Sequence, residues 1–203
     1  MGGGTTNLAA YGDKQIIHTA QIPIGGLHVT RNLAIGLSAT MPHAERLKTL
    51  YGNVEMSRDD DREMVPVPIV GDEENQMAKV PRSMIVRIIR PRIEETFEYI
   101  TDRIDAFGLD PGVGGNRIVL TGGACQIPGL GQMAARMFDR PLRLGRPAPL
   151  RGVPELASGL AFATALGLLS WAAGERGGPN FHLEKKDQQR RAWLSRFFRR
   201  QEA

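Results

Sequence analysis

Cysteine is nearly absent: Cys125 is the single thiol in 203 residues, so no disulfide forms within the chain and no thiolate metal cluster is available. The four histidines are scattered along the chain and are the only other soft metal ligands. An export signal is also missing, because the chain opens Met1-Gly2-Gly3-Gly4-Thr5-Thr6 with no charged and apolar leader. These absences point to a reducing, cytosolic setting. No strand precedes the glycines, so the start is expected to be that of a truncated chain. Nor does the body carry an excess of one charge. The net charge is +4, and residues 184–203 account for it with seven Lys and Arg against three Asp and Glu. A neutral body argues against nucleic acid as partner, while basic charge confined to one end points to a local anionic target such as a phospholipid surface.

At this length the chain holds one sizeable core or two small ones. Residues 5–24 alternate around Gly12-Asp13 and predict a β-hairpin. After Gly25-Gly26, the spacing of Leu27, Val29, Leu33, Ile35 and Leu37 is helical. Pro42 suits the first position of a second helix that runs to about Leu50. Residues 58–76 are acid-rich and read as a surface excursion with an edge strand at 64–70. From Ser83 a long helix is predicted, with Ile85, Ile88, Ile89, Ile93, Phe97, Ile100 and Ile104 on its apolar stripe and a kink at Pro91. Residues 117–121 predict a buried strand, 130–138 a helix, 142–144 a strand, and 156–173 a last helix. The alternation makes the chain α/β. Residues 156–174 lack charge, but Ser158, Gly159, Thr164, Gly167 and many alanines make the run only mildly apolar, so packing on a sheet is expected rather than a membrane span.

Three glycine turns follow or adjoin strands: Gly2-Gly3-Gly4-Thr5-Thr6, Gly25-Gly26, and Thr121-Gly122-Gly123-Ala124. Backbone amides without a neighbouring Cβ admit phosphate oxygens closely, and α/β proteins bind ligands at strand ends. One such turn alone is ordinary hairpin chemistry; three of one type together point to a site for phosphate oxygens.

These residues resemble the actin and Hsp70 superfamily of nucleotide-binding proteins and, within it, the FtsA family of bacterial division proteins, over nearly the whole chain. The triple glycine resembles the second phosphate loop, residues 118–124 the adenosine motif, and Gly25-Gly26 the connecting segment. Residues 44–48 resemble the short helix whose glutamate and lysine, here Glu45 and Lys48, surround ribose and adenine. The resemblance implies the second lobe of an actin-like, ribonuclease H-like fold. Its larger subdomain would be 1–35 with 117–173, and its inserted smaller α/β subdomain 36–116, followed by a linker at 174–189 and an amphipathic helix at 190–203. It further implies ATP with Mg²⁺ in an intact two-lobed protein. Met1 stands near the place of the aspartate that usually precedes the glycines, and the first phosphate loop is absent, so this chain is expected not to be an enzyme.

The same resemblance implies that the smaller subdomain binds the C-terminal peptide of FtsZ. Arg92 is the leading contact and Arg87 and Arg90 accompany it, since a guanidinium fork suits peptide carboxylates. Self-association is implied too. In the tail, helical spacing gathers Trp193, Leu194, Phe197 and Phe198 on one arc, with Arg196, Arg199 and Arg200 opposite or at its margin. Burial of those four side chains contributes roughly 4 to 8 kcal/mol, and each nearby cation about 1 kcal/mol on an anionic leaflet. That predicts reversible attachment to the cytoplasmic face of the inner membrane at the division site. The competing readings are a sugar or acetate kinase-like phosphotransferase and a pilus-assembly actin homologue.

Overall fold

Strand alternation either side of Gly12 gives the first element of the fold, a hairpin of β1 (Thr6–Gly12) and β2 (Gln15–Ile22). The pairing is antiparallel from Thr6 opposite Ile22, with a register shift between Ala10 and Tyr11. The structure is a computed structural model that describes residues 1–13, 15–68, 77–108, 117–150 and 152–173. The expected linker at 174–189 and amphipathic helix at 190–203 lie outside the described residues.

Helix α1 (Gly26–Gly36) follows β2, and α2 (Met41–Tyr51) begins at Thr40, whose hydroxyl accepts from the His43 amide, with Pro42 in the first turn. Strands β3 (Met64–Pro68) and β4 (Met77–Pro81) then pair antiparallel. Val65 and Val67 are buried while Pro66 is exposed, as a two-stranded sheet with open edges allows. Sequence reasoning found β3 and missed β4.

The long helix α3 (Arg82–Ala106) is the centre of the core. Ile85, Ile89, Ile93, Phe97 and Ile100 are buried along one stripe. The helix runs through Pro91 as one element. Pro91 is exposed, so the Arg87 carbonyl that loses its N–H donor lies on the wet side of the helix. Strands β5 (Ile118–Leu120) and β6 (Leu142–Leu144) are parallel neighbours joined through a 3₁₀ turn at Gly123–Gln126 and α4 (Leu130–Phe138). Of β5 only Leu120 is buried, so it is less enclosed than expected. Phe97 of α3 meets Phe138 of α4 with ring centroids 5.2 Å apart. Most of the buried apolar residues, from Ile22 to Leu160, form one contiguous cluster.

The expected helix over 156–173 is corrected. Two 3₁₀ turns, Glu155–Ala157 and Leu160–Phe162, precede α5 (Ala163–Ala173). Ser158 donates its hydroxyl to the Glu155 carbonyl and Gly159 is extended, which ends the first turn before a helix propagates. Of α5 only Leu166 is buried, and Leu168, Leu169 and Trp171 are exposed, so α5 is not the sheet-packed helix anticipated. Among the described residues no helix is long and apolar enough to cross a membrane.

A buried carboxylate fastens the loop before β3 to the start of α3. Asp60 is 2% exposed. It accepts from the Ser57 amide at 2.7 Å and lies 3.5 Å from the Arg82 guanidinium. Arg82 also donates to the Tyr51 carbonyl and to Glu63. Asp60→Ala should cost about 2 to 3 kcal/mol, the scale of a lost hydrogen bond to a charged group. A lower urea midpoint at unchanged slope checks this.

Candidate functional site

The first and second glycine turns are locked together through backbone. Gly26 N donates to Gly2 O at 2.9 Å and Leu27 N to Gly3 O at 2.8 Å, so two of the amides left over at the start of α1 are satisfied by loop carbonyls rather than by a ligand. This approach requires Gly25 to lack a side chain, because a Cβ there would sit 2.5 Å from Gly3 O and 2.6 Å from Gly2 O. The third turn closes on the same loop: Ala124 N donates to Met1 O, and the Met1 amino group to Thr121 O. Gly122 takes φ +102°, a conformation that side chains resist.

Between these turns and α2 lies a cavity of about 460 Å³, within the usual range for small-molecule sites. It is lined by Gly2, Gly3, Gly26, Glu45, Lys48, Gly123 and Ala124, all anticipated from the sequence, and by Leu27, Thr49, Gln126, Ile127 and Pro128, which were not. Gly4, Thr5, Thr6, Gly25 and Gly122 are absent from the lining. Thr6 is buried and donates its hydroxyl to the Ile24 carbonyl at 2.8 Å, and the Thr5 carbonyl accepts from Gly2 N. The amides of Gly3 and Gly4 have no acceptor among the described residues. Thr49 stands four residues after Glu45, on the same helix face, a spacing that was available to find it.

At the cavity wall Lys48 Nζ donates to Glu45 Oε2 at 2.7 Å, to Thr30 Oγ1 at 2.9 Å and to the Gly26 carbonyl at 3.2 Å. Partial burial pushes the Glu45 carboxyl up, but hydrogen bonds from Lys48 and Thr30 and the Lys48 charge outweigh it and hold the group below its ordinary value. Burial pushes the Cys125 thiol up, which leaves it protonated and inert beside the third turn. Among the described residues no three His, Cys, Asp or Glu side chains converge to hold a metal. A magnesium ion at the cavity would draw its ligands from phosphate oxygens and water.

The three arginines of α3 do not form one patch. At about 100° per residue Arg92 stands roughly 160° around the helix from Arg90, whereas Arg87 and Arg90 are about 60° apart. Arg87 approaches Asp61 at 4.0 Å, Arg90 pairs with Glu94 at 2.7 Å, and Arg92 pairs with Glu95. With the Asn32 amide turned to suit its neighbours, Arg92 also donates to it from Nε at 3.1 Å and NH2 at 3.2 Å. Tyr99, 46% exposed, lies about 20° around the helix from Arg92, while Met84, 39% exposed, lies about 80° from Arg92 and about 60° from Arg87.

Comparison with known proteins gives the family. The family model described as cell division protein FtsA matches residues 1–167. The cell division protein FtsA of Agrobacterium fabrum is 46% identical over 170 residues, which are 83% of this chain and 38% of that protein. The chain therefore spans well under half the length of this relative. Among solved structures, MreB5 of Spiroplasma citri bound to AMPPNP superposes with a TM-score of 0.61 at 17% identity, over 86% of this chain and 52% of that one. A PilM–PilN type IV pilus biogenesis complex gives 0.59 at 19% identity, over 83% and 43%. At such identities the likeness is of fold, and the fold is the actin-like α/β one.

Two outcomes test this geometry. Gly25→Ala must displace backbone and should lower stability by about 1 to 3 kcal/mol, as overpacking does, whereas Gly4→Ala, with open space at its Cβ, should melt like the parent. The second concerns pH. A carboxyl with a depressed folded pKa adds stability above its ordinary value of 4.5 and loses it as pH falls through the folded value. The contribution is small because Glu45 is half-exposed. Any advantage in urea midpoint over Glu45→Gln at neutral pH should shrink as pH falls below 4.5 and through the lowered folded value.

Proposed function

This chain belongs to the FtsA family of cell division proteins, and we propose that it forms the nucleotide-holding, partner-binding part of an adaptor that ties FtsZ filaments to the membrane at the division septum. The observation that carries this reading is the convergence of three glycine turns and the Glu45–Lys48 pair on one cavity. ATP suits it. The Gly3 amide, at the lining and with no acceptor among the described residues, fits a phosphate oxygen, and the Lys48 ammonium adds positive charge. The second Glu45 oxygen fits sugar hydroxyls, and Leu27, Ile127 and Pro128 offer apolar surface to a base. Nucleotide there sets shape and self-association in the intact protein, and no chemical step is assigned to this chain.

For the FtsZ C-terminal peptide, the Arg92 face of α3 is better suited than the Arg87 and Arg90 face. Tyr99 lies on the same side of the helix as Arg92, about 10 Å along the axis at 1.5 Å per residue. An acidic peptide with an apolar anchor finds a cation and an exposed aromatic ring there. Its carboxylate exchanges with Glu95, and since that pair is partly solvated the exchange costs little. Membrane attachment is assigned to Trp193, Leu194, Phe197 and Phe198 with Arg196, Arg199 and Arg200, outside the described residues. A phosphotransferase reading lacks support from relatives, which are named for cell division rather than for a reaction. The pilus reading rests on a likeness of fold at 19% identity.

The deciding experiment combines a fluorescent ATP analogue, a labelled FtsZ tail peptide and vesicles of graded anionic lipid. The parent should bind all three. Arg92→Ala should weaken the peptide about tenfold or more, as loss of a charge-assisted contact does, and Arg87→Ala should have little effect. Trp193→Glu with Phe197→Glu should abolish sedimentation with vesicles. A parent that binds neither peptide nor vesicles overturns the adaptor reading.

A further inference from the structure

Thr30 belongs to neither the cavity lining nor any glycine turn, yet it touches both charged side chains at the cavity wall and the Gly26 carbonyl. It lies on α1 and is buried. Its Oγ1 is 2.9 Å from Lys48 Nζ, 2.5 Å from Glu45 Oε2 and 3.0 Å from the Gly26 carbonyl. Resting on the nucleotide reading of this cavity, we propose that Thr30 is the positioning residue of the site: its hydroxyl fixes the Glu45 and Lys48 side chains and ties them to the glycine loops.

Proton accounting supports one arrangement. An ammonium has three protons and no lone pair, so Lys48 donates to all three of its neighbours, the Gly26 carbonyl, Thr30 Oγ1 and Glu45 Oε2. A hydroxyl has one proton, and Thr30, already accepting from Lys48, gives that proton to one of two acceptors. The Glu45 carboxylate is both the nearer and the charged one. Oε2 of Glu45 is then held by two donors, which leaves Oε1 to face a ligand. Lys48 has its three protons matched to three acceptors, so its ammonium sits fixed at the wall.

The same hydroxyl joins the two sides of the cavity. Glu45 and Lys48 stand on α2, whereas Thr30 stands one turn into α1, whose first two amides hold the Gly2 and Gly3 carbonyls. A ligand that pulls on Glu45 therefore acts through Thr30 on the helix that anchors the first glycine turn. Valine matches threonine in shape and lacks the hydroxyl. With Thr30→Val, Lys48 loses one acceptor and Glu45 one donor while packing is kept.

The test uses the full chain with ¹³C-labelled glutamate carboxyls, the Glu45 signal being assigned by its loss in Glu45→Gln. Titration of that signal and affinity for a fluorescent ATP analogue are measured for the parent, Thr30→Val and Thr30→Ser. We expect the valine variant to raise the Glu45 titration midpoint and to weaken the analogue about tenfold, the scale of one hydrogen bond to a charged group. The serine variant should restore both. A valine variant with the parent's midpoint and affinity overturns the proposal, as does a serine variant no better than valine. If the parent binds no analogue, the nucleotide reading fails, and the carboxyl titration still decides whether Thr30 sets the pair. Should valine prevent folding, Thr30→Ala carries the same comparison.

Discussion

The two hydrogen bonds from the start of α1 to the Gly2 and Gly3 carbonyls are the constraint on which the rest of the site depends. Helix starts leave amides without partners, and most are capped by a side chain. Here the cap is a distant loop, and Gly25 makes it possible because any Cβ would strike that loop. Once the loop is fixed there, Ala124 N reaches Met1 O and the third turn closes beside the first. The cavity is the space these backbone contacts leave, so its glycines serve mainly each other's close approach and only secondarily a ligand.

Packing supplies what the backbone contacts cannot. α3 buries its stripe against α1 on one side and α4 on the other. Val54 N donates to the Pro128 carbonyl, which joins the segment after α2 to the residue that ends the cavity lining. The floor of the cavity is thus set by the same core that holds α2 at its wall.

Local chemistry was legible in the sequence. Glycine turns, the start of α2 at Pro42, and the apolar stripe of α3 follow from nearest neighbours, and the structure reproduces them. Seven of the twelve residues predicted to hold nucleotide line the cavity, and five do not. What escaped was non-local. Thr30 is separated from Glu45 by 15 residues and from Lys48 by 18, and nothing in either segment announces the contact. β4 escaped because Met77–Pro81 acquires its strand character from pairing with β3. The last helix was overextended because an uncharged, alanine-rich run satisfies helix periodicity over residues that Gly159 and Ser158 divert into 3₁₀ turns.

Charge on α3 meets the same limit. As a string, Arg87, Arg90 and Arg92 read as one basic patch. As a helix, each sits by a carboxylate, and they face different ways. Such half-exposed pairs contribute little to stability, and an arriving carboxylate replaces a resident one at little net cost. Long-range attraction is correspondingly weak, because each cation is already neutralised. Charge alone therefore distinguishes these faces little, and their exposed apolar neighbours differ: Tyr99 stands about 20° from Arg92 and far from Arg90, whereas Met84 lies between the Arg87 and Arg92 directions, about 60° and 80° from them.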